Sequence, residues 1–171
     1  VQIIFDNGTG TSLCTGAMVS ADTVLTAAHC VHSGTTTGRS YSNFRVIPGR
    51  NLGATPFGEC WAVKTYVLRG WVQALNSLDT RSYDLGALKL NCKIGASTGW
   101  FGVRTISDAD LSTNTVVQGY AADRAPPGRQ WRSTDKLRFL WELKGFYQND
   151  TYGGTSGSPV FFGNDRTTIV G

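Results

Sequence analysis

Apolar residues along this chain concentrate in short runs of five to nine positions set between turn signals, and no run keeps a helical spacing. Runs rich in Val, Ile, Thr and aromatics predict strands: "VQIIF", "SLCTGAMVS", "TVLTAA", "NFRVIPG", "WAVKTYVL", "LGALKL", "TVVQGYA", "KLRFLWEL", "SPVFFG" and "TTIVG". Only "LNSLDTRS" and "SDADLS" offer a turn or two of helix, and the Pro- and Gly-punctuated "RAPPGRQWRS" reads as an exposed loop. The pattern is all-β, with strand spacing that suits a sandwich or barrels. Strands give way to Gly and Ser in "NCKIGASTGW", residues 91–100, so the chain divides near residue 95 into units 1–95 and 96–171.

Composition narrows the class. At 171 residues, 40% apolar and 16% charged, the chain can bury one sizeable core or two small ones. No apolar run reaches the roughly 20 residues of a membrane-spanning helix. The start "VQIIFDNG" lacks the basic and apolar regions of a signal peptide, so a secreted form has already lost its leader. Sixteen Lys and Arg against twelve Asp and Glu give a net charge of +4. Even the densest basic patch, "RQWRSTDKLR", contains an acid, which argues against nucleic acid as a partner. Four cysteines, Cys14, Cys30, Cys60 and Cys92, form no C-x-x-C pair, so two disulfides in an oxidising compartment are expected rather than a metal site. Of the three possible pairings, Cys14 with Cys30 and Cys60 with Cys92 is favoured, and sequence alone leaves the others open.

The segment "YGGTSGSPV", residues 152–160, packs three glycines and two serines ahead of an apolar run. Such a cluster is an ordinary turn unless the chain supplies the partners a catalytic Ser needs, namely a base and a group that orients the base. There are two histidines. His29, in "VLTAAHCV", follows an apolar strand and adjoins a cysteine that can pin its backbone, whereas His32, in "CVHSG", reads as an unconstrained loop residue. Asp84, in "SYDLGALKL", stands at the mouth of a strand, while Asp79, in "SLDTRS", fits a solvated turn.

Together "TAAHC", "YDLGALKL" and "GGTSGSPV", in that order, resemble the trypsin-like serine proteases of the chymotrypsin fold. The run "VVQGYAADRAPPGRQWRSTDKL" followed by "DTYGGTSGSPVF" is similar to the bacterial glutamyl endopeptidase branch of that family. The resemblance implies two antiparallel β-barrels, 1–95 carrying His29 and Asp84 and 96–171 carrying Ser156, with the second lacking its C-terminal strand and helix in this chain. The chain stops at "TTIVG", where the family pattern continues into the strand that walls the specificity pocket, so a longer protein is implied. By the same resemblance Ser156 is the nucleophile, His29 the base and Asp84 its orienting partner, with the N–H groups of Gly154 and Ser156 forming the oxyanion hole. Ser158 is then a structural neighbour.

Other implied properties are a secreted, monomeric endopeptidase acting on proteins or peptides, with no cofactor or metal and no nucleic-acid or membrane partner. Thr155 stands where digestive relatives carry an acid that captures a new N-terminus, so activation through that ion pair is not expected. Thr151 is placed to bind the carboxylate of a Glu or Asp before the scissile bond, provided that Asp150 points away or is paired. If Asp150 faces the pocket instead, the implied cleavage is after Arg or Lys; a protease homologue that only binds partners is the other alternative. The sequons at Asn7 and Asn149 are read as chance matches, because a glycan on Asn149 would crowd the pocket entrance.

Overall fold

The computed structural model describes residues 1–74 and 81–171. Asp79 and most of "LNSLDTRS" lie outside the described residues; Arg81–Tyr83 forms a single 3-10 turn.

Seven strands, β1 (Gln2–Asp6), β2 (Thr11–Thr15), β3 (Ala17–Met18), β4 (Thr23–Thr26), β5 (Ser42–Ile47), β6 (Cys60–Val67) and β7 (Gly86–Leu90), form one sheet in the order β2-β1-β5-β6-β7-β4-β3. Its two outermost strands, β2 and β3, are consecutive in the chain and separated only by Gly16, so the sheet must curl until its ends meet. Strand alternation sends Ile3, Phe5, Val24, Phe44, Val46, Leu88 and Leu90 inward, each 4% exposed or less. Both disulfides belong to this unit: Cys14–Cys30 and Cys60–Cys92, the pairing favoured from the sequence. A bridge closing a loop of this size adds roughly 3 kcal/mol in the chain-entropy account.

The second sheet has the order β10-β9-β13-β14-β8, from β8 (Gly102–Val103), β9 (Asn114–Gly119), β10 (Trp131–Lys136), β13 (Val160–Phe162) and β14 (Asp165–Ile169). A separate hairpin pairs β11 (Phe139–Trp141) with β12 (Lys144–Phe146). Val116, Val117, Tyr120, Leu137, Val160, Phe161, Phe162 and Ile169 are buried here. The architecture is all-β, of the two-barrel chymotrypsin type, with one departure from antiparallel pairing among the described strands: β14 runs parallel to β8 over Thr168–Gly102 and Ile169–Val103. Among the described residues helix is limited to short pieces, including α1 (Arg69–Gln73), α2 (Gly95–Thr98) and a 3-10 turn at Asp108–Asp110 within "SDADLS". None of them is long and apolar enough to cross a membrane.

Two expectations need correction. The stretch 124–133, read as a loop, contains the start of β10, which pairs with β9 from Trp131↔Gly119 to Lys136↔Asn114. The run "KLRFLWEL", read as one strand, is broken at Leu137 and Arg138. There Arg138 folds back onto Asp135, with paired bonds of 2.8 and 2.9 Å, and the Gln148 N–H donates to the same carboxylate.

These bonds hold the Asp135 carboxyl down from 3.8 to about 2, and Arg104 does the same for Asp110. A depressed carboxylate adds stability that is fully present above its unfolded value and lost as pH falls through its folded one. Asp135→Asn is therefore expected to flatten the fall of the unfolding midpoint between about pH 4 and pH 2 relative to the parent protein, read by a thermal scan at each pH.

Candidate active site

His29 sits in a one-turn 3-10 helix, Ala28–Cys30, directly after β4. Asp84 precedes β7, which pairs with β4 in the register Thr26↔Gly86 and so carries the carboxylate to the histidine. Asp84 Oδ2 lies 2.7 Å from His29 Nδ1, and Oδ1 accepts the His29 backbone N–H at 2.8 Å. Both carboxylate oxygens are thus spent on one residue, which fixes ring and backbone together. Burial works to raise the Asp84 carboxyl, but the hydrogen bonds from His29 outweigh it and hold the group below the usual carboxylate range. It stays an anion beside the imidazole. The ring itself is exposed, with Trp71 tilted against it at 6.4 Å between centroids.

Ser156 is half-buried in a loop whose four carbonyls are all held from behind. The Gly153 carbonyl accepts Ala122 N–H at 2.8 Å and the Gly154 carbonyl accepts the Thr15 hydroxyl at 2.8 Å. The Thr155 carbonyl accepts Ser158 N–H at 2.9 Å and the Ser156 carbonyl accepts Thr15 N–H at 2.8 Å. In a trans peptide the N–H points opposite to the preceding C=O. Tying back the carbonyls of Gly153 and Thr155 therefore aims the N–H groups of Gly154 and Ser156 the other way, and neither donates to any acceptor among the described residues. Gly154 has φ +94°, and a Cβ there would collide with the Tyr120 carbonyl, so only glycine fits.

Cys30 Sγ lies 3.7 Å from the Ser156 carbonyl oxygen, which places the serine loop beside the residue that follows His29. Among the described residues, no hydrogen bond joins the Ser156 hydroxyl to His29. Thr155 does not face outward for a partner: its hydroxyl donates to the Tyr152 carbonyl at 2.6 Å and accepts Tyr152 N–H at 3.2 Å, closing the turn on itself.

Asp150 and Thr151 line a cleft with Arg124, Trp131 and Ser133. Asp150 is paired, with Oδ2 2.7 Å from an Arg124 guanidinium nitrogen, and its N–H donates to Ser133 Oγ at 2.7 Å. The same guanidinium stacks on Trp131 at 6.0 Å. His32 is more constrained than its sequence context implies: its Nδ1 accepts Gly34 N–H at 3.0 Å, its carbonyl accepts the Trp71 indole, and burial lowers its pKa. It ties a loop together and has no part in the pair with Asp84.

Asn149 is 9% exposed and accepts the Thr115 hydroxyl at 2.9 Å, a position with no room for a glycan. One His/Cys/Asp/Glu group among the described residues comes within metal-ligating reach, Cys14, His29 and Cys30, but its two sulfurs are joined in a disulfide and offer no thiolate. Sequence reading missed Thr15, Ala122, Tyr120 and Arg124 as parts of the site. The one available signal was a Thr beside Cys14 in the predicted strand "SLCTGAMVS".

Two β-sheets, with the His29–Asp84 pair set beside a glycine-rich serine loop, define the trypsin-like serine protease class. The chain belongs to the trypsin family, whose family model matches residues 1–140, a span that ends before Ser156. It is 37% identical over 162 residues to a Bacillus subtilis protein named extracellular metalloprotease, covering 94% of this chain and 50% of that one. It is 34% identical over 148 residues to the glutamyl endopeptidase of Bacillus licheniformis, covering 86% of this chain and 45% of that one. The chain thus spans about half the length of these curated relatives. A solved Glu endopeptidase structure, in complex with MPD, superposes with a TM-score of 0.84 at 26% identity, over 99% of this chain and 76% of that one.

Proposed function

We propose that the protein to which this chain belongs is a secreted serine endopeptidase that cleaves after Glu or Asp, through an acyl-enzyme on Ser156. The observation that carries the reading is the doubly bonded His29–Asp84 pair, which holds the imidazole with Nδ1 protonated and leaves Nε2 to accept the Ser156 proton. The Ser156 hydroxyl attacks the scissile carbonyl; its proton passes to His29 and then to the leaving amine, and water repeats the sequence to release the acid. The N–H groups of Gly154 and Ser156, without acceptors among the described residues, receive the negative charge that develops on the carbonyl oxygen. The absence of a ground-state bond from Ser156 to His29 is compatible with this, since such bonds often tighten only when substrate is bound. Two disulfides support an oxidising, extracellular compartment.

For specificity, the Arg124–Asp150 pair is the informative contact. An Asp neutralised by its own arginine is a poor receptor for a substrate Arg or Lys, and it removes the repulsion that a bare Asp150 would exert on a substrate carboxylate. Thr151 beside it supplies a hydroxyl donor. The glutamyl endopeptidase relatives point the same way. A peptide library digested by the full-length protein tests this: cleavage concentrated after Glu and Asp is expected. Cleavage after Arg or Lys, abolished in Asp150→Ser, would overturn the preference in favour of the trypsin-like alternative, whereas no cleavage and no labelling of Ser156 by a fluorophosphonate would favour a binding-only homologue.

A further inference from the structure

We propose that Thr15 is a positioning residue for the oxyanion-binding loop, a role that rests on the peptidase reading above. Thr15 belongs to the first sheet, yet its hydroxyl and its N–H both bond to the serine loop. Its hydroxyl donates to the Gly154 carbonyl at 2.8 Å and accepts Tyr120 N–H at 3.0 Å. Its N–H donates to the Ser156 carbonyl at 2.8 Å, and its own carbonyl accepts the Thr26 hydroxyl at 2.7 Å. The residue is 1% exposed. Its neighbour Cys14 is bridged to Cys30, the residue after His29. One dipeptide therefore fixes the position of the base through a disulfide and the position of the nucleophile and oxyanion donors through hydrogen bonds.

The hydroxyl is the replaceable part of this clamp. It lies between the end of β9 and the serine loop, where it joins a donor, Tyr120 N–H, to an acceptor, the Gly154 carbonyl. A valine fills the same volume but leaves both groups buried and unpaired, a state that buried backbone avoids. The least costly relief is for the glycine peptides to rotate toward another donor. Gly154 N–H belongs to the peptide just before that carbonyl, so the rotation takes it out of line with the reacting oxygen. The Thr15 hydroxyl thus acts on catalysis through Gly154, without touching substrate.

Full-length Thr15→Val and Thr15→Ser enzymes provide the test, each normalised to active sites by burst titration with an activated ester. Expected for Thr15→Val is a kcat lowered roughly 10- to 100-fold with KM nearly unchanged, less than the loss of an oxyanion donor outright. Affinity for a peptide boronate, whose serine adduct occupies the oxyanion hole, should fall by the same factor, while binding of a product peptide should not. Thr15→Ser, which restores the hydroxyl, should return both quantities close to the parent values. Thr15→Ala gives the same comparison if the valine variant does not fold. A purely structural role lowers Tm and leaves kcat and boronate affinity of the folded enzyme where they were; that outcome, or a serine variant no better than valine, overturns the proposal. Failure of the peptidase reading is separate: the parent enzyme would then bind no boronate, and Ser156→Ala would change nothing.

Discussion

Ser156→Ala and His29→Ala are each expected to lower peptide turnover of the full-length protein by roughly 10⁴-fold or more, and the double variant to lose little beyond either single one. The non-additivity follows from the mechanism: without the hydroxyl the imidazole has no proton to take, and without the imidazole the hydroxyl is a weak nucleophile. Asp84→Asn belongs to the same unit. The amide still fits the site, but it cannot accept from both Nδ1 and the His29 backbone N–H as the carboxylate does at 2.7 and 2.8 Å, so the ring loses its enforced tautomer. The controls lie next door. Ser158 Oγ is buried without a hydrogen-bond partner among the described residues, so Ser158→Ala removes a hydroxyl that contributes nothing visible and should leave turnover intact. His32→Ala loosens the loop tied by Trp71 and should act on stability more than on turnover. Initial rates on a Glu-containing peptide measure every one of these variants. A Ser156→Ala enzyme as fast as its parent would end the triad assignment.

What the sequence made legible, and what it hid, follows from where each contact finds its partner. The His29–Asp84 pair could be anticipated because the chemistry needs particular side chains, and a chain with two histidines leaves few choices. Most strands of the first sheet were legible because their inner faces are strongly apolar, as in Ile3 and Phe5 of β1. β10 was not. It lies at the edge of its sheet with Trp131, Arg132, Thr134 and Lys136 exposed, so "WRSTDK" carries no apolar stripe, and its first half, "WRS", reads as the end of the preceding loop. Thr15 was hidden for a different reason. Its hydroxyl bonds to backbone atoms 139 and 105 residues away, and a backbone carbonyl leaves no mark on the sequence that holds it. Arg124 was obscured by its setting in "DRAPPG", where nothing local indicates a partner 26 residues on at Asp150.

Gly157→Ala is expected to destabilise the protein by several kcal/mol and to abolish turnover in whatever fraction folds. Gly157 directly follows Ser156 and has φ +77°, a conformation that costs any L side chain about 1 kcal/mol or more. The space is a heavier obstacle than the strain. A Cβ on Gly157 would run into the Thr26 hydroxyl and lie too close to the Thr15 carbonyl, and it would also stand 2.7 Å from the Ala27 backbone nitrogen. The first two of those atoms form the bond, Thr26 hydroxyl to Thr15 carbonyl, that anchors the clamp under the oxyanion loop, and Ala27 begins the turn that presents His29. None of the three can yield without moving the base, the nucleophile or both. Close packing transmits such a displacement instead of absorbing it. Gly153→Ala is the matched comparison, because a Cβ there meets nothing within 4 Å and its φ is not in the left-handed range. It should fold like the parent, with any loss of activity traceable to substrate crowding and not to stability. Urea unfolding of both variants separates the two effects; a Gly157→Ala protein as stable and as active as Gly153→Ala would mean that the serine loop is not wedged against the first sheet as described.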